Sequence, residues 1–311
     1  MNRKMHIAVA ALALLLPSLA LAQETVPANE VFPFLAQPRS AALAGTAGAG
    51  SASTGASAAM AAFDNPAMLA FAPARLDAAL SYGRWAPASR NTLSNNLGAG
   101  VAVRVAQRFA LSAGAVMQLR PQQDFGPTYG TYSPKDWMIG LAASFAFSEH
   151  VSLGVNGRYV RQQLMQDYAI GSAAFSAMVQ YRLKGLNVAA GVANFGGGVK
   201  SENGKTAPLP ASARIAADYE FTLGPGKMGA ALDGDYYFSG KLGVSAGLRY
   251  AFRDVLFARA GYRFASAGAA LPSHLALGLG AKFRGICLDV TYITANRTIG
   301  NSLAVSLGYR F

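Results

Sequence analysis

Few residues in this chain have the types and spacing that could do chemistry. Gly243-Val244-Ser245-Ala246-Gly247 fits the Gly-x-Ser-x-Gly elbow of hydrolases, a motif that needs a strand-to-helix turn to expose its serine. Here it lies inside an alternating stretch with no helix after it, so Ser245 reads as a small inward residue. Asp233 and Asp235 could pair as acid and base, yet arginines share their face and structural ion pairs are expected. Gly45 to Gly50 has the composition of a phosphate-cradling loop, but no strand precedes it and no Gly-Lys-Ser/Thr follows. Beyond residue 22 there are only His150 and His274, at opposite ends of the expected architecture, so a His-rich metal site or a serine-histidine pair lacks its parts. The single Cys287 alternates inward beside Asp289, reads as an inert small side chain, and has no intrachain partner for a disulfide. No enzyme, cofactor or metal site is expected.

The elements that must place these residues show themselves in the stretch Asn301 to Phe311. Leu303, Val305, Leu307, Tyr309 and Phe311 fall on one face of an extended strand, and Ser302, Ala304, Ser306, Gly308 and Arg310 on the other. An apolar face backed by a small and polar one suits a strand with lipid outside and a wet or filled lumen inside. The composition agrees: with 52% hydrophobic and only 14% charged residues the chain lacks the low hydrophobicity that disorder needs, and its 34 Gly keep no collagen period. The net charge of +12 is spread singly, so a lumen or anionic glycolipid headgroups suit it better than nucleic acid. Arg3 and Lys4, an apolar run from Ile7 to Leu16 and Ala20-Leu21-Ala22 read as a signal peptide over residues 1–22, cleaved before Gln23. No later run is long enough for a membrane helix, which leaves a barrel as the way to span a membrane.

Fourteen strands are expected over residues 76–311: Leu76 to Arg84, Asn95 to Val105, Phe109 to Leu119, Trp137 to Phe147, Val151 to Val160, Ala173 to Leu183, Leu186 to Asn194, Ala211 to Phe221, Lys227 to Phe238, Lys241 to Phe252, Val255 to Phe264, His274 to Phe283, Ile286 to Thr294 and Asn301 to Phe311. Most have the length of a tilted membrane strand, and their number is even, as in an all-β, antiparallel outer-membrane barrel. Tight turns follow the even-numbered strands. Longer loops follow most odd-numbered ones, notably Arg120 to Asp136, Arg161 to Ser172 and Phe195 to Pro210, with Ser239-Gly240 as a short exception. Short turns mark the periplasmic end and long loops the outer end. Residues 23–75 form a lead and a small N-terminal plug in the lumen, with a short helix from Ala56 to Phe63 capped by Ser53 or Thr54 and stopped by Asp64-Asn65-Pro66.

Alternation then assigns the faces. Arg104, Arg158, Arg182, Arg214, Asp218, Asp233, Asp235, Arg249, Arg259, Arg263, Lys282 and Asp289 fall in the lumen, because a charge facing lipid near the midplane costs about 2–4 kcal/mol. Aromatics at strand ends, among them Tyr82, Trp85, Trp137, Tyr159 and Phe283, are expected to form interfacial girdles. Tyr309 and Phe311 are expected to serve as the signal read during barrel assembly.

Phe34-Leu35, Pro38-Arg39-Ser40-Ala41-Ala42-Leu43-Ala44-Gly45 and Asp64-Asn65-Pro66-Ala67-Met68-Leu69, with closing stretches Gly278 to Phe283, Leu288 to Tyr292 and Asn301 to Phe311, resemble the PorV/PorQ family of outer-membrane proteins, which share the plugged architecture of FadL transporters. The sequence departs from that family at Ala44-Gly45, where Gly-Gly is usual, and at Ser53-Thr54-Gly55, where an acidic residue is. The resemblance implies a non-enzymatic barrel of the type IX secretion system. Its partners would be the carboxy-terminal domains of secreted cargo, a translocon barrel and a sortase-like attachment protein, with the plug motif Asn65, Pro66 and Ala67 sealing the lumen. The alternative is FadL-like uptake of hydrophobic small molecules.

Overall fold

The computed structural model describes residues 30–55, 57–85, 94–127, 130–200, 206–295 and 300–311; the expected signal peptide and the start of the lead lie outside them. Fourteen long strands build one closed antiparallel barrel. They are β1 (Leu76–Trp85), β2 (Ser94–Ala106), β3 (Phe109–Leu119), β4 (Lys135–Ala146), β5 (Val151–Met165), β6 (Tyr168–Leu183), β7 (Leu186–Gly196), β8 (Ser212–Leu223), β9 (Gly226–Tyr237), β10 (Leu242–Phe252), β11 (Leu256–Ala265), β12 (His274–Phe283), β13 (Ile286–Ala295) and β14 (Ser302–Arg310). Each strand pairs with its neighbours in sequence, and β14 returns to β1 in the register Asp77↔Arg310, Leu80↔Leu307 and Arg84↔Leu303. Leu76 and Phe311 exchange two main-chain hydrogen bonds, both 2.9 Å, at the foot of that seam. Closure leaves no unpaired wall edge, which is what hydrocarbon surroundings demand.

The period-two pattern sorts the wall. Leu80, Leu141, Ile215, Leu279 and Phe283 stand 60%, 69%, 61%, 69% and 68% exposed, while Gln180, Ser245 and Asp235 are buried. Apolar outside and polar inside inverts a soluble protein and fits a barrel that crosses a membrane. The turns at the end that carries Phe311 are the tightest. Lys184-Gly185, Arg253-Asp254 and Arg284-Gly285 have positive φ at both central positions, the backbone of the two-residue hairpin turns that match strand twist.

Three expectations need correction. Arg161 to Ser172 is not a loop, because β5 and β6 run on as a ladder to Met165 and Tyr168; above the lipid both faces are wet, so apolar alternation stops while strand pairing continues. The helix from Ala56 to Phe63 is a single 3-10 turn, Ala58–Met60, with no side-chain cap, since the segment must bend along the curved wall. Ala56 itself lies outside the described residues. Trp85 points inward, with its ring 6.1 Å from that of His274, because it shares the parity of buried Asp77 and Ala79. The two remaining long outer connections each contain a two-residue ribbon, 123–124 with 131–132 and 199–200 with 206–207.

Residues 30–55 and 57–72 lie inside the barrel, most of them buried. Ser40 caps the one-turn helix Ala41–Ala44, accepting from Leu43 N at 3.2 Å. Asn65 caps the 3-10 helix Pro66–Phe71, whose proline begins it. These short elements follow the inner wall in turn: Ala41–Ala44 meets β12, β13 and β14, Ala58–Met60 meets β1, β2 and β3, and Pro66–Phe71 meets β4, β5 and β6.

Candidate functional site

The plug is held by side chains that reach from the wall to its backbone. Asn65 is buried. Its Oδ1 accepts from Ala67 N at 2.9 Å, and its Nδ2 donates to Ser51 O at 3.1 Å and to Gln180 Oε1 at 2.9 Å. Gln180 in turn donates to Ala52 O at 2.9 Å. Ala67 O accepts from Ser144 Oγ at 3.2 Å and Ser152 Oγ at 2.8 Å, and Pro66 packs against Gly154. The expected plug motif is therefore brought together with a polar patch of β4–β6. On the far side Thr291 donates to Ala41 O at 2.6 Å and Ser245 to Ala47 O at 2.9 Å. Ser245 thus holds the plug, and its hydroxyl accepts from Arg263 Nη1 at 3.0 Å, a guanidinium and not a general base.

The inward charges form specific ion pairs. Asp235 accepts from Arg214 Nε at 2.7 Å and Arg263 at 3.2 Å, Arg259 meets Asp289 at 2.7 Å, and Arg249 chelates Asp218 with one bond of 2.8 Å. Asp233 has a different task from the ion pair expected: its carboxylate accepts from the plug nitrogens of Gly50 at 2.7 Å and Ser51 at 3.2 Å. Arg158 donates to Phe63 O, Ser176 Oγ and Asn194 Oδ1. Arg104 is half-buried near the foot of β2, and its Nε has no partner among the described residues. Lys282 lines a cavity of about 690 Å³ at the periplasmic mouth, together with Arg182, Arg249, Arg259, Asp218 and Asp289. Tyr309 and Phe311 point outward and are exposed.

On the plug itself, Arg39 and Asp64 sit between these groups. Burial pushes Asp64 up to about 6, against the pull of Arg214, Arg39 and Arg158. Burial also lowers Arg39 to about 10, with Asp64 opposing. The Arg39 guanidinium donates to the carbonyl of Phe34.

The lumen divides into two sectors. Toward β8–β13 the plug meets the ion pairs. Toward β2–β6 it buries two apolar clusters that follow one another down the wall. Phe32, Phe34, Met60 and Phe63 pack on Val116, Met138 and Val160 in the outer part, and Met68 and Leu69 pack on Ala102, Ala110 and Ala142 in the inner part. Phe71 and Ala146 extend the second cluster to the periplasmic turns. Among the described residues no group of three or more His, Cys, Asp or Glu could hold a metal ion. Cys287 is buried and free. His150 is exposed in a turn, while His274 is buried at the outer end of β12 with Nδ1 2.8 Å from Pro272 O.

Residues that the sequence reading missed are the small polar and glycine positions of the inner face, Ser144, Ser152, Gln180 and Gly154, together with Asp77. Asp77 accepts from Ala58 N at 2.8 Å and pairs with Arg310 at 3.3 Å. Inward parity marks every one of them as lumen-facing; nothing in the sequence tells which inward residue meets the plug.

No family model and no curated protein matches the sequence. Solved structures do match the fold. A FadL homologue of Pseudomonas aeruginosa superposes over 93% of this chain and 100% of its own with a TM-score of 0.58 at 14% identity. The CymD monoaromatic hydrocarbon channel gives 0.66 over 88% and 97% at 13% identity. The Ralstonia pickettii toluene transporter TbuX gives 0.58 over 81% and 93% at 11% identity. The chain thus has the fourteen-stranded, closed antiparallel fold of the FadL-like outer-membrane barrels.

Proposed function

We propose that this protein is a non-enzymatic outer-membrane barrel that lets apolar small molecules cross between plug and wall. The observation that carries this is the apolar sector, which runs from Val116, Met138 and Val160 at the outer part to Ala102, Ala110, Ala142 and Phe71 at the periplasmic turns. An apolar solute in that interface exchanges apolar neighbours for apolar neighbours, whereas an ion would be stripped of water with no partner. The small inward side chains of β2–β4 leave the plug as the part that must yield. The neighbours described as a monoaromatic hydrocarbon channel and a toluene transporter support aromatic hydrocarbons as the first solutes to try. The expectation of a type IX cargo shuttle, which would receive cargo on the outer loops Arg120 to Asp136, Arg161 to Ser172 and Phe195 to Pro210, has less behind it, since the second of these is largely paired wall strand. A passive porin conflicts with a lumen crossed by the plug.

The test is uptake of labelled toluene and oleate, with a labelled sugar of similar size as control, into cells that express the barrel or its Ala142→Phe variant. Uptake of the apolar solutes alone, reduced severalfold by Ala142→Phe, is the expected result. Equal uptake with and without the barrel, or recovery of secreted proteins sharing a carboxy-terminal domain in a crosslinked pull-down, overturns it.

A further inference from the structure

The lipid-facing wall has a groove of about 720 Å³ across β14, β1, β2, β3 and β4. The register accounts for it. One outward row reads Leu307, Leu80, Ala99, Ala115, Ile139, so two alanines lie between bulky neighbours and form a floor. The row above reads Tyr82, Leu97, Met117, Trp137 and overhangs that floor toward the outer surface. The floor is wide enough for hydrocarbon chains, since Leu80 to Ile139 spans three strand spacings, or about 14 Å.

Cations stand above the groove. Arg84 follows Tyr82 on β1, Lys135 precedes Trp137 on β4, and Arg161 is paired with Trp137 across β4–β5. All three face outward and are exposed, and none is in an ion pair among the described residues. Among the described residues of the wall strands, no other Lys or Arg faces outward in the outer half. Apolar floor, aromatic overhang and unpaired basic crown together fit an amphiphile with an anionic head at the height of the outer headgroups.

We propose that this groove is a binding site for a phosphorylated glycolipid of the outer leaflet, with acyl chains on Ala99 and Ala115 and phosphates at Arg84, Lys135 and Arg161. The site rests on the reading of the chain as an outer-membrane barrel and is independent of what passes through the lumen.

The test uses the full chain, refolded in detergent and mixed with bisphosphorylated lipid A, with the same lipid after enzymatic dephosphorylation, or with phosphatidylcholine. Bound lipid is read by native mass spectrometry. Wild type is expected to hold lipid A at least tenfold tighter than the dephosphorylated form. The Arg84→Ala/Lys135→Ala/Arg161→Ala variant is expected to lose that preference, and Ala115→Phe, which fills the floor, to lose binding of both forms. The Arg253→Ala/Arg284→Ala variant, at the opposite end of the barrel, is expected to bind as wild type does. Unchanged preference in the triple variant, unchanged binding in Ala115→Phe, or an equal loss in the opposite-end variant overturns the site. Heat-modifiable migration on a gel separates the two levels of failure: a heat-modifiable barrel without lipid A binding defeats only the site, and a chain that never becomes heat-modifiable defeats the barrel reading beneath it.

Discussion

The hydroxyl of Ser152 donates to the carbonyl of Ala67 at 2.8 Å, and two residues further along β5 the backbone of Pro66 and Ala67 fills the space that a side chain on Gly154 would need. Gly154 is thus a seat for the plug, a close approach that only glycine allows. Gly154→Val leaves the outward face of β5 untouched and should still give a heat-modifiable barrel. The plug, however, loses its seat and the Ser152 and Ser144 bonds, worth about 1 kcal/mol each. Limited proteolysis should then cleave within residues 30–75 while the wall stays intact. Equal resistance in wild type and variant would show that the plug does not depend on this contact.

Asp64 makes plug stability depend on pH. Burial raises its folded value to about 6, above the unfolded value of about 3.9, so the folded state binds the extra proton. Stability from this group is fully present below about pH 4 and is lost as pH rises through about 6, by on the order of 3 kcal/mol. Asp64→Asn removes that dependence. Thermal midpoints in detergent at pH 4 and pH 7 should therefore fall further apart for wild type than for Asp64→Asn. A wild type whose midpoint rises over the same interval relative to the variant contradicts the assignment.

The wall was legible in the sequence because lipid and lumen impose opposite demands on alternate residues, and Leu242 to Phe252 obeys that rule at every position. The same rule misleads above the membrane, where Arg161 to Ser172 is polar on both faces and looks like a loop although it is paired strand. Parity also placed Arg214, Asp235 and Arg263 inside. It could not pair them, since pairing depends on the register of three different strands. The plug was legible as a plug from its small residues and Asn65-Pro66. Its course along the wall was not, because Ala and Gly carry no preference for Ser152 over any other inward hydroxyl. Trp85 has the aromatic type of a girdle residue, but its parity with Asp77 and Ala79 turns it inward against His274.

Asp235 is the hub of the charged sector, taking bonds from both Arg214 and Arg263, and Arg263 is buried. Asp235→Asn leaves two cations without their counter-charge, a loss of about 3–5 kcal/mol for a buried pair. A second change, Arg263→Met, removes one stranded charge and should recover part of that loss. The double-mutant cycle, followed by urea unfolding in detergent, should give a coupling of at least about 1 kcal/mol. Additive losses would mean that the two groups do not depend on each other.

Asp77 joins the seam of the barrel to the plug. On β1 it pairs with Arg310 of β14 at 3.3 Å, and it accepts from the plug nitrogen of Ala58 at 2.8 Å. Its carboxylate is buried while Arg310 is partly open to the periplasmic cavity, so the two bonds differ in worth. Losing the buried bond to Ala58 N strands a donor at about 1–3 kcal/mol, whereas Arg310 can turn to water. Asp77→Ala should therefore cost more than Arg310→Gln, by about 1 kcal/mol or more. It should also expose the Ala58 amide to hydrogen exchange, which Arg310→Gln leaves protected. If Arg310→Gln is the costlier change, the ion pair outweighs the plug bond, and Asp77 serves mainly to close the wall.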